Sequence, residues 1–354
     1  MANIPQIQKI LIVRTDRIGD VVLSLPMVVA LRSAESSASI SLLVRSYTKE
    51  LVEDQPGLAE ILLYDVSMER KPFGEMLAEI RRRKFDVVIV TYPTFRLALL
   101  MFLAGIPVRI GTGYRWYSLF FNRRIYEHRK TAEKHEAEYN VSLLRPLGIE
   151  PEGHPRPALD VTEAAAAEAR ELLGKVGIRP GEPFVILHPG SGGSAKDWSP
   201  ENFGALAEKV SDVAPVLVTG SAAEQQLVAT VVEQSNGKAV ALPAVSSLKT
   251  LAAILKKAAV FVANSTGPLH MAAAVGTPVV AFYPPIVQCS SRRWGPLADR
   301  KVVFEPSAGE CPRCHGGPCQ GSDCMDLISV EEVFHAVAGT LKRSPVRGRE
   351  LQKA

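Results

Sequence analysis

The sequence predicts an α/β protein of two Rossmann-like domains that face each other across a cleft. Three observations lead to this prediction. Apolar runs of strand length alternate with segments of helical periodicity, which is the pattern of a parallel sheet wound between helices. The strand-turn-helix pattern starts twice, at Lys9 and at Phe184, and a proline-rich polar segment separates the two halves. The length of 354 residues also fits two domains of about 100 to 200 residues each.

The first half opens with the apolar run Lys9–Val13, a polar turn and helical periodicity over residues 21–32. Further strands are predicted at Ser39–Val44 and 85–90, and a further helix at Phe95–Leu103. The continuous apolar character of residues 85–90 is typical of a strand that is buried on both faces of a parallel sheet.

The second half repeats this layout after a change in composition near residue 150. Residues 151–160 are rich in proline, and alanine dominates residues 162–173, which predicts a helix within a linker. A strand at 184–187 restarts the alternation, and helical spacing over 330–341 predicts a closing helix. The predicted organisation is an N-terminal domain over 1–155, a linker with a helix over 156–182, a C-terminal domain over 183–328, and a closing helix with a basic tail over 329–354.

The composition excludes several classes of protein. Basic and acidic residues number 41 and 37, so the net charge of +4 is too small for a nucleic-acid-binding surface, and no nucleic acid partner is predicted. The N-terminus lacks the basic and apolar regions of a signal peptide. The longest apolar run, residues 97–106, is about half the roughly 20 residues that a membrane-spanning helix needs. These observations predict a cytoplasmic protein.

One segment mixes arginine with aromatic residues, since residues 114–124 read YRWYSLFFNRR. Aromatic rings at headgroup level and guanidinium groups on phosphate suit an anionic membrane surface. A solvated face followed by a partly buried loop is the alternative interpretation. The first interpretation predicts peripheral contact with the inner face of the cytoplasmic membrane.

The motif HPGSGGSAKDWSPENF, over residues 188–203, directly follows an apolar strand. Its glycines allow the backbone to approach an anion closely, and Ser199 and Pro200 are typical of the start of a helix, whose N-terminus attracts phosphate. Lys196 adds a positive charge. The spacing matches neither a Walker motif nor GxGxxG, which argues against a dinucleotide cofactor. A plain surface turn is the alternative.

A second turn of this kind lies in the motif ANSTGPLHMAAAVGTPVVAF, over residues 263–282. A predicted strand ends at Ala263, the polar residues up to Gly267 turn the chain, and Pro268 opens a helix. Two such turns at the carboxyl ends of strands suit a diphosphate. The alternative is a well-capped helix with an incidental polar loop, in which His270 is simply packed.

Three acidic residues follow predicted strands. Glu224 lies in a small-residue turn where a carboxylate can hold the hydroxyls of a ribose, although an acid in the first turn of a helix is the commoner role. Asp16 and Asp20 lie between the first strand and its helix, where an aspartate can accept a proton from an attacking hydroxyl. A helix N-cap is the alternative for these two residues.

Together these segments resemble glycosyltransferase family 9, which includes the ADP-heptose:lipopolysaccharide heptosyltransferases. The matching segments run in order from about residue 9 to residue 340. They are KILIVRTDRIGDVVLSLPMVVALR, RIG at 109–111, KHEAEYNVSLLRPLGI, HPGSGGSAKDWSPENF, NSTGPLHMAAAVGTPVVAF and RRWGPL.

The resemblance implies the GT-B architecture, with the acceptor on the N-terminal domain and the donor on the C-terminal domain. It implies an inverting, metal-independent transfer of a sugar, with heptose as the default, from an ADP-linked donor to a lipopolysaccharide-core or similar glycolipid. The nucleotide-sugar is a co-substrate, and no cofactor is implied. Asp20 is then the base. The residues implied to bind the donor are Gly190, Ser191 and Lys196 for the phosphates, Glu224 for the nucleoside, and Ser265, Thr266, Gly267 and His270 on the second turn.

One departure from the family pattern bears on the sugar. Ser265 stands where the heptosyltransferases carry an aspartate before the Thr/Ser-Gly pair, so the resemblance supports the family more strongly than it supports heptose. Two alternatives stay open. One is a nucleotide-sugar epimerase or hydrolase of the same architecture, and the other is a non-catalytic protein that binds nucleotide-sugars.

Four cysteines cluster near the end of the second domain, at Cys311, Cys314, Cys319 and Cys324, with His315 among them. Four thiolates can hold a structural zinc ion, but these short gaps differ from the usual pair of separated knuckles. Disulfides and reduced thiols are the alternatives. No catalytic metal is predicted.

Overall fold

A computed structural model describes residues 7–34, 37–150, 155–193, 195–243, 245, 247–307 and 324–343. The chain divides into two compact units, and the boundary lies between Asp160 and Val161. Each unit has its own sheet and its own apolar core.

The first unit is built on a six-stranded parallel sheet, in which β1 and β6 are central. Ile10 to Val13 are fully buried because helices and loops cover both faces of the sheet. The strands, in spatial order, are β3 (Glu60–Leu63), β2 (Ser39–Val44), β1 (Lys9–Val13), β6 (Val87–Val90), β7 (Val108–Thr112) and β8 (Arg123–Ile125), with a small antiparallel pair formed by β4 (Asp65–Val66) and β5 (Glu69–Arg70). The helices are α1 (Ile18–Val22), α2 (Leu25–Ala34), α3 (Lys49–Val52), α4 (Phe73–Arg83), α5 (Phe95–Leu103) and α6 (Glu136–Ser142).

The second unit repeats the plan with a six-stranded parallel sheet centred on β9 and β12. Trp198 is buried in its core and stacks on Phe282 with 4.5 Å between ring centroids. The strands, in spatial order, are β11 (Val240–Ala241), β10 (Val216–Val218), β9 (Val185–His188), β12 (Val260–Asn264), β13 (Val279–Phe282) and β14 (Lys301–Phe304). The helices are α7 (Glu163–Lys175), α8 (Pro200–Ser211), α9 (Gln225–Gln234), α10 (Leu248–Lys257), α11 (Gly267–Ala274), α12 (Ser291–Trp294) and α13 (Val330–Lys342).

The predicted alternation of strands and helices is confirmed in both halves, but the predicted helix over 21–32 is wrong in one respect. The structure has two helices here, since α1 ends at Val22 and α2 begins at Leu25. Pro26 explains the break, because its nitrogen cannot donate to the carbonyl group of Val22 and its ring would crowd that carbonyl in a continuous helix. The Ser24 hydroxyl instead donates to the Asp20 carbonyl oxygen at 2.8 Å.

The helix predicted within the linker is α7, which the structure places in the second unit. Thr162 caps its N-terminus, and Glu168 accepts a hydrogen bond from the Thr250 hydroxyl of α10 at 2.6 Å. The closing helix is α13, which begins after a capping box at Ser329 and Glu332 and packs against α8.

Candidate functional site

The β1–α1 turn of the first unit brings two aspartates to a buried arginine. Arg14, 2% exposed, follows β1, and its Nε donates to Asp16 Oδ1 at 2.7 Å. Its Nη2 donates a hydrogen bond to Asp20 Oδ1. The predicted base thus lies in the first turn of α1 at the carboxyl edge of the sheet, where open α/β sheets bind ligands.

Helix α6 supplies the other side of this cluster. Arg14 Nη1 donates to Asn140 Oδ1 at 3.2 Å and lies 3.5 Å from Glu136 Oε1. Glu136 is buried and pairs closely with Arg129. Burial raises the pKa of Asp16 to about 7; the charge of Arg14 opposes this rise, and the charge of Asp20 adds to it. We call Asp16, Asp20, Glu136, Arg14 and Arg129 the acid cluster.

A cavity of about 330 Å³ opens beside this turn. Thr15, which lies between Arg14 and Asp16, contributes to its wall. Three arginines and several aromatic side chains make the cavity suited to an anionic group with an apolar ring face. We call it the arginine cavity, and the residues that line it are Thr15, Arg45, Tyr64, Arg70, Tyr92, Thr94, Phe95, Arg96 and Leu97.

In the second unit, the predicted glycine loop follows β9 at its carboxyl end. Gly192 and Gly193 have φ values of 58° and 72°, a conformation that favours glycine. The Ser191 hydroxyl donates to Asp197 Oδ2 at 3.0 Å, and Lys196 is half-buried. Ser199 caps α8 by accepting a hydrogen bond from Asn202 N at 3.2 Å, which confirms the predicted helix start.

Glu224 folds back onto this glycine loop. Its carboxylate accepts hydrogen bonds from the Ser221 backbone N–H at 2.8 Å and from the Ser221 hydroxyl at 2.7 Å. A Cβ atom at Gly190 would overlap the same carboxylate. Burial opposes ionisation of Glu224, but the Ser221 hydrogen bonds and nearby His188 lower its pKa. Glu224 is therefore an anchored anion beside the loop.

Asn264 joins the two predicted turns. Strands β9 and β12 are neighbours in the sheet, so their carboxyl ends lie side by side. Asn264 Oδ1 accepts a hydrogen bond from Trp198 N at 2.8 Å, and its Nδ2 donates to the Pro189 carbonyl at 2.6 Å. This buried amide fixes the glycine loop against the start of α11.

The second turn places Ser265 and Thr266 just before α11, and both are 9% exposed. The Ser265 side chain forms a hydrogen bond with Tyr283, whose hydroxyl donates to the Trp294 carbonyl at 2.6 Å. The serine that departs from the family pattern is thus tied to the RRWGPL segment. His270 is 4% exposed within α11.

The structure brings most of the predicted donor residues to one edge of the second sheet. Gly190, Ser191, Lys196, Glu224, Ser265, Thr266 and Gly267 follow the carboxyl ends of β9, β10 and β12. Asp20 lies in the first unit, and His270 is inside its helix. Arg14, Glu136, Asn140 and the arginine cavity were not among the predicted site residues. A charged residue directly after an apolar strand was the available indication for Arg14.

The predicted cysteine site lies mostly outside the described residues, because Cys311, Cys314 and Cys319 are not among them. Cys324 is buried in the core of the second unit. A zinc ion there therefore stays a prediction. Within the ranges that the structure describes, every helix is too short or too polar to cross a membrane.

The family model and the similar proteins indicate the same family. The family model of glycosyltransferase family 9 (heptosyltransferase) matches residues 74–321. A Haemophilus influenzae protein, named only provisionally as a glycosyltransferase, is 29% identical over 344 residues, which cover 94% of this chain and 96% of the relative. Lipopolysaccharide heptosyltransferase 2 of Escherichia coli is 25% identical over 294 residues, covering 78% of this chain and 83% of that enzyme.

Solved structures share the fold along nearly the whole chain. A family 9 glycosyltransferase from Veillonella parvula superposes with a TM-score of 0.83 at 23% identity, covering 95% of this chain and 98% of the other. The E. coli ADP-heptose lipopolysaccharide heptosyltransferase II gives a TM-score of 0.77 at 21% identity, with 95% and 99% covered. The predicted fold class, two Rossmann-like domains of the GT-B type, is confirmed.

Proposed function

Because this chain belongs to glycosyltransferase family 9, we propose that it transfers a sugar, with heptose as the first candidate, from an ADP-linked donor to a lipopolysaccharide-core or similar envelope glycolipid. Its named relatives include lipopolysaccharide heptosyltransferases, which supports this choice of sugar and acceptor. The nucleotide-sugar is a co-substrate, and the proposed transfer is inverting and independent of metal ions.

The observation that carries the proposal is the pair of helix N-termini at the ends of the neighbouring strands β9 and β12. Backbone N–H groups and the positive end of a helix dipole attract phosphate. Asn264 holds the two turns together, so a diphosphate can contact both. We assign the donor phosphates to Gly190, Ser191, Lys196, Thr266 and Gly267.

The acceptor is proposed to bind the first unit. Arg70 and Arg96 of the arginine cavity suit a sugar that carries a carboxylate or phosphate, and the aromatic walls suit its ring. Asp20 then takes the proton from the acceptor hydroxyl as the hydroxyl oxygen attacks the anomeric carbon of the donor sugar. The bond to the donor phosphate breaks on the opposite face, and the charge of the leaving ADP is stabilised by helix N–H groups and Lys196.

We also propose peripheral contact with an anionic membrane. Helix α5 and the 3₁₀ turn at Trp116–Phe120 expose a continuous aromatic surface, in which Trp116 is 72% exposed and stacks on Phe95 at 5.0 Å. Arg115, Arg123 and Arg124 are exposed beside it in sequence. We call Phe95, Phe102, Leu103, Trp116 and Leu119 the aromatic face.

Calorimetric titration with ADP, UDP, GDP and dTDP in the presence of EDTA tests the donor site. We expect selective binding of ADP, about tenfold weaker in Lys196→Ala because a charge on the phosphates is lost. Lys256→Ala, which removes an exposed lysine on α10, serves as the control. Failure to bind any of the four nucleotides would contradict the proposed donor site.

A transfer assay with ADP-heptose and a lipopolysaccharide-core acceptor then tests the base. Asp20→Asn should bind ADP normally but lower kcat by roughly 100-fold to 10,000-fold, the usual contribution of general base catalysis. Consumption of the donor without an acceptor would support the hydrolase or epimerase alternative, and full activity of Asp20→Asn would rule out Asp20 as the base.

A further inference from the structure

The role proposed for Asp20 conflicts with its surroundings in the acid cluster. Asp20 is proposed as a base, yet its carboxylate accepts a hydrogen bond from the guanidinium of buried Arg14. An adjacent positive charge stabilises a carboxylate and makes it a weaker base, commonly by one to three pKa units in proteins. Some other feature of the cluster has to balance the charge of Arg14 when Asp20 accepts a proton.

Two further carboxylates share Arg14 with Asp20. Asp16 binds Nε at 2.7 Å, and Glu136 lies 3.5 Å from Nη1. Their side chains differ in accessibility, since Asp16 is 13% exposed and Glu136 only 2%. Glu136 also has its own partner in Arg129, whereas the ion pair of Asp16 is with Arg14. Asp16 is thus the carboxylate that competes most directly with Asp20.

The charges of the acid cluster do not cancel. Three carboxylates face two guanidinium groups, which leaves one negative charge in excess when all are ionised. Among the described residues, the charged and titratable groups next to Asp16 do not remove this excess. Tyr47 donates its hydroxyl to the Asp16 carbonyl at 2.6 Å, Arg45 pairs with Asp65, and Arg17 is exposed and screened by solvent.

We propose that Asp16 is a positioning residue: it shares the Arg14 guanidinium with Asp20, so that the acid cluster takes up one proton during transfer. This inference rests on the proposed sugar transfer. The proton leaves the acceptor hydroxyl as its oxygen bonds to the donor sugar, and it binds to an Asp20 carboxylate oxygen. When Asp16 is ionised, the cluster then has no net charge, and the proton returns to solvent after the product leaves.

Asp16→Asn tests this role in catalysis, since asparagine keeps an oxygen that can accept from Arg14 Nε. We expect the acid limb of the kcat profile to move to lower pH by about one unit or more and the plateau rate to fall, with KM for the donor unchanged. Glu75→Gln, an exposed acid on α4, is the matched control for loss of one charge. A fall in kcat that is equal at every pH would indicate a merely structural role and overturn the proposal.

A second measurement needs no substrate. In ¹³C-aspartate-labelled protein, the Asp16 carboxyl resonance, identified by its loss in Asp16→Asn, should titrate near pH 7. In Asp20→Asn its midpoint should fall by about one unit or more, because coupling between two carboxylates is reciprocal. An unchanged midpoint would overturn the shared-proton proposal. A shifted midpoint in a protein that transfers no sugar would instead count against the proposed function alone.

Discussion

His188, the last residue of β9, shows how one buried side chain links the donor site to stability. It is 5% exposed, and its Nδ1 has no hydrogen-bond partner among the described residues. Burial lowers the pKa of His188 to about 4, although Glu224 and a hydrogen bond to Thr219 favour the charged form. At neutral pH the imidazole is therefore uncharged beneath the glycine loop.

This shift predicts a pH-dependent stability. Between the folded pKa of about 4 and the unfolded value of about 6.5, the unfolded chain binds more protons, so the free energy of unfolding falls as the pH falls through this window. From pH 7 to pH 5 we expect His188 to account for a loss of about 2 kcal/mol. Urea unfolding at both pH values should show a smaller loss in His188→Gln. Equal losses in the two proteins would show that folding does not lower the pKa of His188.

The sequence predicted the residues of the motifs better than it predicted the residues that hold the motif side chains in place. Gly190, Lys196 and Asp20 follow apolar strands at recognisable spacings, so local pattern was sufficient to place them at sheet edges. Asn140 meets Arg14 from 126 positions away, and no local pattern encodes that contact. Residues that position a site from a distant part of the chain can be identified only from the folded structure.

At the scale of elements, the glycine loop depends on the lack of a side chain at Gly190. A methyl group there would overlap the Glu224 carboxylate, which lies at the end of a flexible side chain and can move. We expect Gly190→Ala to change the free energy of unfolding by less than about 1 kcal/mol and to weaken ADP binding about tenfold by displacing Glu224. Calorimetry and urea unfolding measure both quantities.

Gly174→Ala is the matched control for this substitution. Gly174 lies in α7 with open space around the position of a Cβ atom, so alanine should stabilise that helix by up to about 1 kcal/mol and leave ADP binding unchanged. If Gly190→Ala binds ADP as tightly as the wild type, Glu224 has no part in holding the nucleoside.

Elements were predictable where they are buried. Strands β1, β2 and β6 are mostly apolar and buried and were found from that pattern, with β6 shorter than the predicted 85–90. The edge strand β8 reads RRI and is largely exposed, so it has no apolar periodicity to detect. Its position depends on pairing with β7, which is a tertiary contact.

At the scale of the whole molecule, each unit carries a different kind of surface. The second unit holds the polar turns at the ends of β9 and β12, whereas the aromatic face belongs to the first unit. A patch of exposed aromatic residues is uncommon on a protein whose surface contacts only solvent, and this patch also has arginines nearby. It fits a glycolipid acceptor embedded in a bilayer, since the same unit contains the arginine cavity.

The membrane proposal predicts binding to vesicles that contain about one third phosphatidylglycerol. Trp116 and Leu119 are 72% and 59% exposed, so the double variant Trp116→Ser/Leu119→Ser should fold and bind ADP normally. Loss of their burial in the headgroup region should weaken co-sedimentation with vesicles about tenfold or more.

The single variant Arg123→Glu should also weaken vesicle binding at low salt. Its effect should be smaller at high salt, because salt screens the attraction to anionic lipid. Val213→Ser/Val287→Ser, two exposed apolar positions in the second unit, is the control and should bind as the wild type does. If the aromatic-face variant sediments as well as that control, the aromatic face does not dock the enzyme on a membrane.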